Sequence, residues 1–102
     1  MIPLPTIERL VWDSWNLEHI EKHDVSPSEG EQAVGPNAYY EVTYKDRLLV
    51  IGAIPTGRVL AVVIGESPDV PDHWYVFSAR PASRKERARF GEAMAKREGD
   101  SL

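Results

Sequence analysis

The 102-residue chain contains no cysteine, which excludes a disulfide framework, thiolate metal ligation and thiol catalysis together. Long hydrophobic runs are also missing. The longest, Leu48 to Ile54, spans seven residues including Gly52, whereas a spanning helix needs about 20. The opening residues Met1-Ile2-Pro3-Leu4-Pro5 carry no basic segment followed by a long apolar stretch, so no secretory signal is read there. A soluble, cytoplasmic protein without membrane association is the expectation. There is no internal repeat, no low-complexity tract, no glycine-rich phosphate loop and no cluster of metal-ligand residue types, so no cofactor is implied.

What is present suits one small domain spanning residues 1–102, with 42% hydrophobic residues to build one core. The net charge of −4 conceals a polarity. From Arg80 to Arg97 seven bases face two acids, a local charge of +5, while the remainder of the chain carries −9. A basic C-terminal element on an acidic body is either a local anion site or a solvated helix face.

Residues 1–11 read as an extended lead-in, because Pro3 and Pro5 discourage helix. Asp13 can cap a helix to about His23, with Trp12, Asn16, Leu17, Ile20 and His23 at helical spacing. Ser26-Pro27-Ser28-Glu29 has the form of a capping box with proline at the first helical position, and Gly35-Pro36-Asn37 ends that second helix. Four strands follow: Tyr39 to Tyr44, Leu48 to Ile54, Arg58 to Ile64, and His73 to Ala79. Lys45-Asp46 and Pro55-Thr56-Gly57 serve as turns, and Gly65 to Asp72 as an exposed loop. The second and third strands are apolar on both faces, which makes them central. Pro81 stops the ladder, and Ser83-Arg84-Lys85-Glu86 is a second capping box opening a helix to about Arg97. Its apolar face is thin, resting on Phe90 and Met94, and Gly91 weakens it by about 1 kcal/mol relative to alanine. The fold class expected is α+β: two N-terminal helices, a four-stranded antiparallel meander sheet and a C-terminal helix, with the helices gathered on one side and residues 98–102 as a disordered tail.

Two stretches carry a family resemblance. Trp12-Asp13 followed by Lys22-His23-Asp24-Val25-Ser26 is similar to Trp-Asp then Lys-His-Gly-Val-Ser/Thr. Phe77-Ser78-Ala79-Arg80-Pro81-Ala82-Ser83-Arg84-Lys85-Glu86-Arg87 is similar to Ile-Ser-Ala-Arg-Arg-Ala-Thr-Arg-Arg-Glu-Arg. Both patterns belong to the BrnT family of toxins from type II toxin–antitoxin pairs, which the chain resembles over roughly residues 12–90. Asp24 stands where that family has glycine, and Pro81 where it has a second arginine. The resemblance implies a RelE-like ribonuclease fold, RNA cleavage that inhibits translation, and a cognate BrnA-like antitoxin as partner. Whether the chain would form a homodimer or a heterotetramer with that antitoxin stays open.

Metal-independent RNA cleavage needs a base for the 2′-hydroxyl, an acid for the leaving oxygen, and cations for the developing phosphorane charge. Arginine suits the last role, since its planar fork binds phosphate oxygens twice and stays charged. Arg80 ends a strand and Arg84 and Arg87 open a helix, where the backbone N–H groups also favour an anion. Lys85 and Arg89 extend the candidate RNA-binding set of Arg84, Lys85, Arg87 and Arg89. The alternative is that Arg84 and Arg87 pair with Glu86 or with solvent. His23 is the natural acid–base and Lys22 beside it a charge stabiliser, although a histidine at a helix end is often only a cap. Arg58, opening a central strand, faces either the same site or solvent. The candidate catalytic set is therefore Lys22, His23, Arg58, Arg80 and Arg84, expected to converge on one anion.

His19 and His23 are four apart, but the segment lacks the H-E-x-x-H pattern and Lys22 would repel a cation, so no metal is expected. Trp15, Trp74, Tyr39, Tyr40 and Tyr44 could stack on bases, though aromatics in half-buried strands are more often core. Ser78 lacks an ordered histidine–acid pair for serine hydrolysis. Two further functions compete with the ribonuclease: a catalytically silent binding module docking an antitoxin-like partner, and a metabolic enzyme on the same scaffold, for which no cofactor motif speaks.

Overall fold

In a computed structural model, residues 6–100 are described. The chain is α+β, in the order β1 (Arg9–Val11), α1 (Ser14–Glu21), α2 (Pro27–Ala33), β2 (Tyr39–Val42), β3 (Leu48–Ala53), β4 (Val59–Glu66), β5 (His73–Pro81) and α3 (Arg84–Asp100). A 3-10 turn at Tyr44–Asp46 lies between β2 and β3. The sheet has five strands ordered β1-β5-β4-β3-β2.

The expected antiparallel meander is present as β2 to β5, and it gains a strand. Residues 9–11, expected to be only an extended lead-in, pair in parallel with β5, Leu10 opposite Trp74. The lead-in residues 1–5 lie outside the described residues. β1 has one buried position, Leu10, and is too short for an alternation to register in sequence. At the other end, α3 continues to Asp100 where a tail was expected from residue 98, and residues 101–102 lie outside the described residues.

The helices do not gather on one side. One layer joins Ile20 and Val25 and the α2 residue Ala33 with Leu48, Val50, Leu60, Val62, Ile64, Trp74 and Val76 of the sheet. The other joins Leu49, Ile51 and Ala61 with Ala82 and the α3 residue Phe90. The reason lies in β3 and β4, whose alternate residues are apolar on both faces. Each face needs cover, and α3 supplies the second. Among the described residues no helix is long and apolar enough to cross a membrane.

Local chemistry sets the helix ends. Asp13 accepts from the Asn16 N–H at 2.9 Å while Asn16 Oδ1 accepts from the Asp13 N–H at 2.8 Å. The same Asn16 is fully buried and its amide donates to the carbonyls of Val11 and Val76, which ties α1 to the seam between β1 and β5. The α1 terminus closes as a Schellman-type turn: Val25 N–H reaches Ile20 O and Asp24 N–H reaches Glu21 O. Asp24 adopts φ 59°, a left-handed conformation that glycine would take without strain.

Gly52 marks the closest helix–sheet approach, since a Cβ there would lie 2.0 Å from the Ala33 carbonyl oxygen. Gly52→Ala should therefore destabilise the fold by about 3 kcal/mol in urea denaturation, through overpacking against backbone. Gly91 of α3 has nothing within 4 Å of its missing Cβ, so Gly91→Ala should raise stability by about 0.5–1 kcal/mol. Equal effects of the two substitutions would contradict this packing.

Candidate functional site

The joint between β5 and α3 begins with a β-bulge. Val63 stands opposite Ser78 and Ile64 opposite Val76, so Phe77 is an extra residue on β5. The bulge reverses the alternation. Trp74, Val76 and Ala79 all bury in the α1–α2 layer, and Arg80, paired with Ala61, turns to the face that α3 covers. Without the extra residue, Arg80 would share the face of Val76 and point into apolar core.

Arg80 is held on that face by Glu86. Its Nη1 and Nη2 donate to Oε1 and Oε2 of Glu86 at 2.7 and 2.9 Å, a two-pronged ion pair. Glu86 also closes the α3 capping box: Ser83 N–H donates to Oε1 at 2.8 Å and Ser83 Oγ accepts from the Glu86 N–H at 3.2 Å. One carboxylate thus fixes the penultimate residue of β5 and the first helical turn. The hydrogen bonds from Arg80, aided by the Ser83 N–H and opposed by burial, lower the Glu86 pKa from 4.5 to about 2. The same hydrogen bonds raise that of Arg80.

Around this clamp the other predicted cations divide. Arg87 donates to the Ala82 carbonyl at 2.9 Å, and Arg89 pairs with Glu41 of β2 at 3.0 Å. Arg84 and Lys85 are exposed and hold no side-chain partner among the described residues. They are the cations at the joint that remain available to an anion.

Arg58 lies just before β4 and repeats the clamp on the opposite face. It donates to Glu29 Oε2 at 2.8 Å, while Glu29 Oε1 accepts from the Ser26 N–H at 3.0 Å in the α2 capping box. The Ser26 N–H, with Arg58, lowers the Glu29 pKa against the effect of burial. Lys22 and His23 are exposed at the end of α1. His23 meets His19 edge-on at 5.6 Å, and His19 stacks on Trp15 at 5.0 Å between ring centres.

The expected convergence of Lys22, His23, Arg58, Arg80 and Arg84 does not take the form of direct contact. Among the described residues no hydrogen bond, ion pair or ring contact joins any two of them. Arg80 lies on the α3 face, whereas α1 buries Ile20 in the layer on the other face. Two of the three strand and helix arginines are turned toward capping glutamates instead. Both capping boxes were legible in the sequence, but the arginine that each glutamate holds was not, because it arrives from a distant strand.

Of the candidate stacking aromatics, Trp74 is core, Tyr39 and Tyr40 are half-buried, and Trp15 and Tyr44 are exposed. Phe77 and Tyr75, which carry no stacking signal in the sequence, meet edge-on at 5.0 Å on the open part of the α3 face. Tyr75 donates its hydroxyl to Asp13, and burial together with that bond raises its pKa. No family model, curated protein or solved structure matches the chain.

The depressed pKa of Glu86 makes a pH-dependent contribution to stability. The carboxylate is favoured in the folded state, so the contribution is full above pH 4.5 and is lost as pH falls toward about 2. A shift of that size corresponds to at most about 3 kcal/mol, less the screening expected for a partly exposed partner. Glu86→Gln should therefore lower stability near neutral pH and flatten the acid limb of a stability–pH curve between about 4.5 and 2. Parallel acid limbs for the two proteins would show that Glu86 titrates normally.

Proposed function

We propose that this chain is a BrnT-like toxin that acts on RNA, taking the phosphate backbone at the joint of β5 and α3. The observation that carries this reading is the Arg80–Glu86 clamp inside the Ser-Ala-Arg…Arg-Lys-Glu-Arg segment, with Arg84 and Lys85 beside it exposed and unpaired among the described residues. The clamp keeps the strand–helix corner rigid, and the two free cations extend from a helix start where the dipole also favours an anion. Arg87 reinforces the corner by holding the Ala82 carbonyl.

The activity proposed is metal-independent cleavage of RNA that inhibits translation in the cytoplasm, restrained by a BrnA-like antitoxin. In that chemistry Arg84 and Lys85 neutralise phosphate. Arg80 can do so only by exchanging its carboxylate partner for the substrate. Lys22 and His23, exposed at the end of α1, lie with the opposite layer and serve proton transfer and charge stabilisation only for an RNA that passes round the edge of the sheet.

A second reading is a silent binding module that docks a partner without cutting RNA. It is favoured by the neutralisation of Arg80 and Arg58 through Glu86 and Glu29, and by the lack of contact between His23 and either arginine. α3 suits such docking, since it runs 17 residues and touches the sheet chiefly at β2 and β3.

Expression with and without the adjacent reading frame, followed by growth and total RNA integrity, separates the two. Growth arrest with RNA loss, relieved by the neighbour, is the result expected. Intact RNA and unhindered growth with folded protein would contradict it. The double substitution Arg84→Ala/Lys85→Ala should leave stability within about 0.5 kcal/mol, because neither side chain has a partner among the described residues. It should also reduce the salt dependence of single-stranded RNA binding by roughly 0.7 log units per lost phosphate contact. An unchanged slope would remove these residues from the interface.

A further inference from the structure

The part of the α3 face that α3 leaves open contains a hollow of about 700 Å³, within the range of roughly 300–1,000 Å³ for small-molecule sites. Its floor is shaped by a missing side chain. Val11, Tyr75 and Gly65 stand in one cross-strand row, and Arg47, just before β3, borders the hollow beside Gly65. Glycine leaves a gap in that row. The bulge residue Phe77 leans into it, so that a Cβ on Gly65 would lie 2.7 Å from Phe77 Cε2. The Arg47 guanidinium covers the Phe77 ring, its Cζ 3.6 Å from the ring centre. The floor is thus a stack of planar groups, and its other guanidinium face is turned away from the ring.

The rim is charged in both senses. Lys45, in the left-handed turn conformation at φ 59°, and Arg47 stand with Asp46 and Glu66 around the opening. An apolar peptide segment entering here would strip water from four charges without replacing their partners. A planar heterocycle with N–H donors on its edge and a phosphate attached would instead satisfy both signs. Guanidinium and aromatic planes stack on nucleobases regardless of sequence. A carboxylate accepts the two N–H donors of the guanine Watson–Crick edge, and an ammonium takes the phosphate.

We propose that this hollow binds one unpaired nucleotide, its base stacked on the Arg47–Phe77 pair and its phosphate toward Lys45, with guanine preferred through Asp46 or Glu66. Within the function proposed above, on which the biological use of the pocket rests, it selects the base of a single-stranded target while the β5–α3 joint holds the backbone. The two elements are linked in sequence: the bulge at Phe77 both delivers the ring to the hollow and turns Arg80 to the α3 face.

The test is calorimetry on the full chain with the RNA pentamers UUGUU, UUAUU and UUUUU and with guanosine and uridine monophosphates. UUGUU should bind at least tenfold more tightly than UUUUU, and amide signals of Gly65 and Tyr75 should shift on its addition. Arg47→Ala should lose at least tenfold for UUGUU, and Arg47→Lys, which keeps charge but not the plane, should not restore it. Arg84→Ala/Lys85→Ala should weaken all pentamers alike and preserve the preference. If guanosine monophosphate equals UUGUU in affinity, the ligand is a free mononucleotide; if the pentamer is tighter, it is a strand. Equal binding of all pentamers, full activity of Arg47→Lys, or shifts confined to residues away from the hollow would overturn the proposal. Nucleotide binding in the hollow without RNA loss or growth arrest would leave the pocket standing and sink the toxin reading. RNA cleavage indifferent to Arg47→Ala would do the reverse.

Discussion

The carboxylate of Glu86 carries the corner on which the second face of the sheet is built. It accepts from both Nη atoms of Arg80 and from the Ser83 N–H, so three donors from a strand end and a helix start meet on one group. Its side chain is 11% exposed and that of Arg80 38%. Burial at this level raises the Coulomb attraction without the full desolvation penalty of a core pair. Losing one partner leaves a largely buried charge, which is costlier than the pair is favourable. Other anchors of α3 among the described residues include Phe90 against the sheet, Arg89 on Glu41, and Arg97 on the Ala38 carbonyl. The direction of α3, and so the position of Arg84 and Lys85, follows from the clamp.

The same device occurs twice. Glu29 closes the α2 capping box and holds Arg58 at the start of β4, as Glu86 closes that of α3 and holds Arg80 at the end of β5. β4 and β5 are neighbours, and Ala82 N–H donates to Val59 O at this end of the ladder. Two capped helix starts therefore flank one end of the central strand pair, one on each face. The local +5 charge from Arg80 to Arg97 already counts Glu86, and the Arg89–Glu41 ion pair brings in one further acid from β2, which leaves a narrower cationic element than the composition suggested.

Local patterns were legible in the sequence. Both capping boxes, the central hairpin and the double-faced apolar character of β3 and β4 follow from spacings within a few residues. What escaped depends on register and on long-range pairing. The bulge at Phe77 inserts one residue into an otherwise regular strand, and nothing in the run from Trp74 to Arg80 marks where the alternation reverses. A smooth alternation would have put Arg80 with Val76, so the site arginine lay on the wrong side of any two-residue period. β1 is three residues long and takes its stability from pairing with β5 and from Asn16, 60 positions away from its partner carbonyl at Val76. The candidate site was legible as a set of residue types, but not as an arrangement, because the anions that hold the arginines are contributed by other elements.

The clamp itself can be observed directly by following the Glu86 carboxyl carbon by nuclear magnetic resonance as acid is added. With Arg80 held on the carboxylate, the midpoint falls near the depressed value of about 2. A midpoint in the ordinary carboxylate range, near 4.5, would mean that Arg80 is not held, and the rigid joint and the interface proposed on it would both lose their foundation.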